Sequence, residues 1–234
     1  MNGSFSLICV GISTLIGLLI VSKYPKYKDR LLILVGISWI GIFSPWWPSS
    51  ISFLLVLITG SGLSLPIYLA LGLVPGATIL LLWIYAFTDL KFVQYKRPLF
   101  IIYAIIGCFF EIYIIYFIIT DPSAIGELNG EIDITYKSIA LYYAIFIVIT
   151  LLITGTLFGK ESLKAENPET RLKGYFLIVA FISWSIGAML DAALPLTIIN
   201  LTIARLILIS SAVEFYCGFI LPTFVKNRLI KQEK

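Results

Sequence analysis

Four ionisable residues lie inside long apolar runs of the sequence, and any chemistry of the chain has to start from them. Glu111, Asp191, Arg205 and Glu214 each have hydrophobic residues on both sides. An ionised side chain is costly in hydrocarbon, so such residues face the interior of a helix bundle, where partner groups or water can meet them. They are therefore the first candidates for a ligand site, an ion path or an ion pair.

Arg205 and Glu214 share the last apolar run, residues 197–225, and are nine positions apart. At about 100° per residue they lie on opposite faces of a helix, so they cannot pair with each other. Asp191 lies near the outer end of the preceding run, residues 174–194, before the turn at Pro195. We expect a structural ion pair between Asp191 and Arg205. The alternative is that Arg205 anchors an anionic ligand from the outer side.

Glu111 and Glu214 are acids at depth on two different helices. One interpretation is a neutral carboxyl that donates a hydrogen bond to a carbonyl or to a nearby hydroxyl; the other is a proton or cation path through both residues. Tyr113 and Tyr116 are three positions apart and share a helix face. They could wall a pocket for a flat apolar ligand, although placement at the membrane interface explains most such tyrosines.

The amino-acid composition indicates what kind of secondary structure carries these four ionisable residues. The chain is 59% hydrophobic and 13% charged, with a mean hydropathy of +1.00. A soluble domain has about a quarter of its residues charged, so the sequence predicts an all-α, multi-pass protein of the cell membrane with the lipid bilayer as its first partner. The net charge of +4 follows from the placement of bases in loops, and no nucleic-acid partner is expected.

Metal, cofactor and enzymatic chemistry are not expected. The chain has no histidine, and its three cysteines fall in three separate apolar runs without metal spacing. The sequence contains no phosphate-binding glycine loop and no nucleophile elbow.

Seven apolar runs predict a seven-helix bundle that forms one domain. Lysine and arginine mark the cytoplasmic side of membrane proteins, and an orientation with the N-terminus outside and the C-terminus inside puts every base except Lys137 and Arg205 on that side. The predicted spans are approximately residues 5–22, 31–43, 66–88, 98–120, 138–158, 174–194 and 197–225.

Residues 51–88 are too long for one span. Two full crossings would put Lys91, Lys96 and Arg97 outside and invert every later loop. The sequence therefore predicts an extra half-helix at residues 51–63 on the outer side, between helices two and three. The irregular backbone at Gly60 would have to be buried in protein or wetted.

The loop between helices five and six is the predicted contact for a partner protein or for anionic lipid. It contains Lys160, Lys164, Arg171 and Lys173 among several acids.

Four short motifs carry a resemblance to a known family. They are Trp39 late in helix two, Val74-Pro75, the aromatic stretch 83–88, and Asp121-Pro122 after helix four. Over residues 39–121 the chain resembles the seven-helix sensor modules at the N-terminus of some bacterial and archaeal histidine kinases. The resemblance implies a stand-alone sensing bundle, without a kinase domain, that signals through a partner.

Three hypotheses follow. The first is a receptor or sensor that binds a small or lipophilic ligand in the outer half, between helices three, six and seven, with Trp83, Tyr113 and Tyr116 as aromatic candidates. The second is a proton or ion conduit through Glu111 and Glu214. The third is a structural or accessory subunit of a membrane complex.

Overall fold

The computed structural model describes residues 2–90, 92–193 and 197–230, and almost all of them are helical. The helices are α1 (Asn2–Val21), α2 (Tyr24–Tyr27), α3 (Arg30–Gly41), α4 (Trp47–Thr59), α5 (Leu65–Leu73), α6 (Pro75–Leu90), α7 (Lys96–Thr120), α8 (Ser138–Ser162), α9 (Pro168–Ala193), α10 (Ile198–Phe219) and α11 (Thr223–Leu229). Short 3-10 turns cover Ser44–Trp46, Val93–Tyr95 and Pro122–Ala124. An antiparallel hairpin of β1 (Gly126–Asn129) and β2 (Asp133–Tyr136) joins α7 to α8.

Within the described residues, seven helical segments are long and apolar enough to cross a membrane. They are Gly3–Tyr27, Arg30–Thr59, Leu65–Asp89, Val93–Thr120, Ser138–Ser162, Pro168–Ala192 and Ile199–Phe219. The prediction of an all-α, seven-span bundle is confirmed at this level, and the chain is an integral, multi-pass membrane protein.

The second segment is longer than predicted. α3 ends at Gly41, and after the 3-10 turn at Ser44–Trp46 the chain resumes as α4, with Pro48 in the first turn, where a missing N–H costs no helical hydrogen bond. The separate half-helix at residues 51–63 is not confirmed, because residues 51–59 belong to α4 and continue this second segment. α4 ends at Thr59 and is capped by Gly60, whose φ of +82° favours glycine.

The third segment contains α5 and α6, which meet at Val74-Pro75. Pro75 is the first residue of α6, where its fixed φ suits a helix start. Residues 65–89 therefore form one apolar membrane segment, with a proline near its middle where α5 meets α6.

α9 packs between α8 and α10, α1 packs against α3, α4 and α10, and α6 lies between α3 and α7. α7 lies at the edge of the bundle: only 11% of its most apolar stretch is buried, against 56% for the second segment. Most of its side chains therefore face lipid.

An aromatic core fills the centre of the bundle. Trp39 stacks on Phe215 with ring centroids 3.5 Å apart, and Phe181 lies edge-on to both rings. Trp83 packs against Phe181 and donates its indole N–H to the Thr154 hydroxyl at 2.7 Å. These side chains come from five segments, so they hold the bundle together by interlocked packing.

The loops lie at the two ends of the bundle, because successive segments cross the membrane in opposite directions. The backbone N–H of Gly62, between α4 and α5, donates to the Glu131 carboxylate of the hairpin at 2.8 Å. At the other end of the bundle, Lys226 pairs with Glu169 at the start of α9. The assignment of one end to the outside is not tested by these contacts and stays a prediction.

Candidate functional site

A buried ion pair joins α9 to α10. Nη1 of Arg205 lies 3.2 Å from Oδ2 of Asp191, and the same oxygen accepts a hydrogen bond from the Trp46 indole N–H at 2.8 Å. The Arg205 side chain is 2% exposed and that of Asp191 17%. The guanidinium also lies 5.5 Å from the centre of the Trp46 ring, within cation–π range. The predicted Asp191–Arg205 ion pair is confirmed.

Local sequence explains how these two charges meet. α10 begins after Thr197, whose side chain accepts from the Asn200 N–H, and Arg205 follows the cap by eight residues, about 12 Å along the helix. Gly187 lies one turn before Asp191 on α9, and a Cβ there would come within 2.8 Å of the Leu208 side chain. The close approach of α9 and α10 at Gly187 brings the carboxylate within reach of the guanidinium.

A cavity of about 260 Å³ adjoins the pair. Its lining comes from the second and third segments, the hairpin, α8, α9 and Arg205 of α10. The lining residues with polar or aromatic side chains are Ser44, Trp46, Ser49, Tyr68, Asp133, Thr135, Tyr136, Tyr143, Trp184, Asp191 and Arg205. Much of the remaining wall is aliphatic, with Leu73, Leu80, Val148 and Leu151 among its residues.

Four buried polar atoms of the cavity wall have no hydrogen-bond partner among the described residues. They are Oδ1 of Asp191, the hydroxyls of Tyr136 and Tyr143, and Nε1 of Trp184. Buried polar atoms are nearly always hydrogen-bonded, because leaving one unpaired costs about 1–3 kcal/mol. Buried polar atoms without a partner also occur elsewhere among the described residues, but these four belong to residues that line one open space.

Two glycines make room for the tyrosine hydroxyls. A Cβ at Gly72 would come within 2.9 Å of the Tyr136 hydroxyl, and one at Gly76 within 3.0 Å of the Tyr143 hydroxyl. The glycines are four residues apart across the break between α5 and α6, about 6 Å along the segment. Two glycines four residues apart often allow two helices to pack closely. Here the same spacing leaves room for the phenol side chains of Tyr136 and Tyr143.

The hairpin covers one end of the cavity and is tied to the second and third segments. The Ser49 and Tyr68 hydroxyls lie 2.9 Å and 3.0 Å from the Ile132 carbonyl oxygen and 2.6 Å from each other. Since each hydroxyl has one proton, two of these three contacts are hydrogen bonds at any time. Burial raises the pKa of Tyr136 well above its ordinary value, so this hydroxyl keeps its proton and remains a donor.

The structure brings together two of the seven residues proposed from sequence, Asp191 and Arg205. Glu214 accepts from Ser210 on its own helix at 2.7 Å, and Glu111 is half-buried on α7; neither lines the cavity. Tyr113 and Tyr116 are exposed on the lipid-facing side of α7, and Trp83 is buried in the aromatic core.

Of the four bases predicted for the loop between helices five and six, Lys164 lies between α8 and α9, whereas Lys160 belongs to α8, and Arg171 and Lys173 belong to α9. Lys164 lies 3.2 Å from Glu161 and Lys173 lies 3.5 Å from Glu169, whereas Lys160 and Arg171 are exposed. These four bases lie at the end of the bundle opposite the cavity.

Sequence reasoning missed several residues of the site. Trp46 is 5% exposed and bonds Asp191, but adjacent tryptophans such as Trp46 and Trp47 are also typical of the membrane interface, so the sequence does not mark it as a site residue. No local pattern marks Trp184 or Asp133 either. The spacing of Gly72 and Gly76 was the one local signal of a close approach in this region.

Comparisons of the chain with protein-family models, curated protein sequences and solved structures found no match. The resemblance to sensor modules therefore stays a prediction. Among the described residues no group of three or more histidine, cysteine, aspartate or glutamate side chains could hold a metal ion. The arrangement around Asp191 and Arg205 suits binding by hydrogen bonds, ring faces and apolar contact.

Proposed function

We propose that the protein is a receptor-like membrane protein that binds a small lipophilic ligand in the cavity beside Asp191 and Arg205. The observation that carries the proposal is the set of four buried polar atoms, without protein partners among the described residues, around one largely apolar cavity. Ligand sites have this composition: an apolar wall with a few polar groups that fix orientation.

An ion pair that served only to join α9 and α10 would not need this surrounding. Asp191 already receives two contacts on Oδ2, from Arg205 and Trp46, which fix the carboxylate in place. Its other oxygen, Oδ1, is buried without a hydrogen-bond partner among the described residues. Such prior fixing lowers the entropic cost of binding, as expected for a site that holds a ligand.

Helix α9 supplies a route from the cavity to a partner. It carries Asp191 at one end and Glu169, Arg171 and Lys173 at the other. A ligand that favours one position of α9 over another shifts the population of the bundle, and the basic loop reports the shift to a partner. The conduit hypothesis lacks comparable support, because Glu111 and Glu214 do not line the cavity.

Ligand binding can be tested with p-bromophenylbutanol, a neutral probe whose bromine quenches tryptophan fluorescence on contact. Trp46 and Trp184 line the cavity, so we expect saturable quenching in the purified protein in nanodiscs. Gly72→Leu fills the cavity next to Tyr136 and should remove the saturable part. Gly11→Leu is the matched control, because nothing lies within 4 Å of a Cβ at Gly11.

Quenching that rises linearly with probe concentration in the wild type, as partition into lipid would give, contradicts the proposal. So does saturable quenching that is unchanged in a folded Gly72→Leu variant. Thermal unfolding of each variant shows whether it is folded.

A further inference from the structure

Helices α8 and α9 are in close contact in the half of the bundle away from the hairpin. A Cβ at Gly155 would come within 2.2 Å of the Phe181 side chain, and one at Gly159 within 3.0 Å of the Gly174 carbonyl oxygen. All four residues are buried. In this half, one face of α8 therefore packs directly on one face of α9.

Towards the hairpin, the same two faces border the cavity. Residues three, four or seven positions apart share a face of a helix, so Ile145 and Val148 continue the face of α8 that carries the two glycines. On α9, Ala188 and Ala192 continue the face of Phe181 in the same way. All four of these continuing residues line the cavity. The two helices thus enclose open space between faces that touch further along.

This open part of the α8–α9 contact is exposed at the side of the bundle. Ala192 is exposed and Ile145 is half-buried. Met189, which also lines the cavity, is 42% exposed and continues the exposed apolar stripe of Ile182 and Ile186 on α9. Some cavity-lining residues therefore lie on the surface of the bundle that meets lipid. We call the gap bordered by Leu141, Ile145, Met189 and Ala192 the side opening.

The side opening lies at the depth of the lipid chains. α8 has 25 residues, about 37 Å, whereas the hydrocarbon layer is about 30 Å thick, so about 4 Å at each end of a centred helix lies among head groups. Ile145 is about 10 Å from the start of α8, and Met189 is about 6 Å from the end of α9. Both positions are therefore a few ångströms inside the hydrocarbon.

The hairpin end of the cavity is fastened by polar contacts. The Gly62 N–H donates to the Glu131 carboxylate at 2.8 Å, and the Ser49 and Tyr68 hydroxyls contact the Ile132 carbonyl oxygen. The side chains of the side opening carry no charge and no hydrogen-bond donor. Entry past the hairpin has to break polar contacts, whereas entry from the side only exchanges one apolar contact for another.

The size of the cavity restricts what it can hold. Its volume is about 260 Å³. A protein cavity of about 150 Å³ holds one benzene molecule, so this one takes a short stretch of hydrocarbon chain but not a polar head group as well. A larger amphiphile would keep the rest of its body outside, and the side opening gives that part a place in the bilayer.

We propose that the ligand of the cavity is the hydrocarbon chain of a membrane lipid, which enters sideways from the bilayer between α8 and α9. The inference rests on the proposed function and names the class of ligand and its route. The chain packs along Leu80, Val148 and Leu151, and the head group stays at the membrane surface on the hairpin side.

The test uses nanodiscs in which a rising fraction of the phosphatidylcholine carries dibromostearoyl chains, whose bromine quenches tryptophan on contact. Trp184 lines the cavity and is 2% exposed, so lipid around the bundle does not reach it. Its fluorescence is the difference between the wild type and Trp184→Phe. We expect this difference to fall in proportion to the brominated fraction, with most of it lost when all the lipid is brominated.

A variant at the side opening locates the route. Ala192→Phe adds bulk at an exposed residue that lines the cavity, and should protect Trp184 from the brominated lipid. Val179→Phe is the matched control, because Val179 is a 47% exposed residue of the same helix that does not line the cavity. It should be quenched as the wild type is. Thermal unfolding shows that each variant is folded.

The rate of quenching by p-bromophenylbutanol compares the two routes. Ala192→Phe should slow it several-fold, whereas Glu131→Ala, which removes the contact with Gly62, should leave it unchanged. Faster entry in Glu131→Ala, with no change in Ala192→Phe, would place the route past the hairpin and overturn the inference.

Trp184 fluorescence that persists when all the lipid is brominated also overturns the inference, as does equal quenching of Ala192→Phe and Val179→Phe. In each of these cases the proposed function stands if the alcohol still binds saturably to the wild type. Absence of saturable alcohol binding to the wild type is the failure of the proposed function itself, so the two failures are distinguished.

Discussion

Two regions of the bundle use similar residues in opposite ways. The packed region, around Trp39, Phe181 and Phe215, is filled by interlocking rings. The cavity region, around Trp46 and Trp184, also has aromatic walls, but they surround about 260 Å³ of space and a buried ion pair. Aromatic content alone therefore does not distinguish a core from a site.

The difference lies in what the rings contact. In the packed region Trp83 gives its N–H to Thr154 and packs against Phe181, so it needs nothing further. In the cavity region the N–H of Trp184 and the hydroxyl of Tyr143 have no partner among the described residues. Unmatched polar atoms also occur in the packed region, where Nε1 of Trp39 has no hydrogen-bond partner among the described residues. What distinguishes the cavity region is that its unmatched atoms belong to residues that line open space.

The largest expected effect is on the ion pair. Arg205→Met leaves the Asp191 carboxylate in the membrane without its cation, and breaking a buried pair in this way costs about 3–5 kcal/mol. Adding Asp191→Asn should restore much of the loss, since an asparagine oxygen still accepts from Trp46. Thermal unfolding in detergent measures both variants. Strictly additive losses would show that the two residues do not interact.

A smaller effect is expected where α8 and α9 approach at Gly159 and Gly174. A Cβ at Gly174 would lie 2.8 Å from the Gly159 carbonyl oxygen, so Gly174→Ala must push α8 and α9 apart. We expect a loss of about 1–3 kcal/mol in unfolding free energy, with probe binding in the cavity retained. Gly11→Ala, which meets nothing within 4 Å, should be neutral or stabilising because alanine favours helix. Equal losses in the two variants would contradict close packing at Gly174.

The smallest effect concerns the hairpin. Glu127 accepts a hydrogen bond from Lys137, and this bond together with the attraction between the two charges lowers the pKa of Glu127. The pair therefore stabilises the hairpin at pH values above the ordinary pKa of glutamate. The stabilisation is lost as pH falls through the lowered pKa. Hydrogen–deuterium exchange of residues 126–136 should be faster in Glu127→Gln than in the wild type at neutral pH, and the two should converge in acid. A difference that persists in acid would assign the effect to something other than the ion pair.

Much of the fold could be predicted because membrane spans are determined by local composition. Apolar length identified all seven segments, and the positions of Asp191 and Arg205 on neighbouring helices predicted their pairing. The course of residues 44–59 was not predictable in this way, since prolines can end a helix or begin the next one. Here Pro48 begins α4.

The site was harder to predict than the fold. Trp46 and Asp191 are 145 positions apart, and their hydrogen bond depends on how the second and sixth segments pack. The same limit applies to Tyr136 and Tyr143, whose hydroxyls meet glycines of another segment. Conversely, Tyr113 and Tyr116 have the right chemistry for a pocket but lie on the face of α7 that meets lipid.

The sequence by itself determined that this protein is a bundle of seven apolar helices with a few costly charges inside it, because hydrophobic length and charge are properties of short stretches of chain. The tertiary structure decided which of those charges meet, and that Asp191 and Arg205 border a cavity while Glu111 and Glu214 do not. The physical reason is that a buried charge or polar atom is stabilised by groups from distant segments, and only packing determines which groups those are.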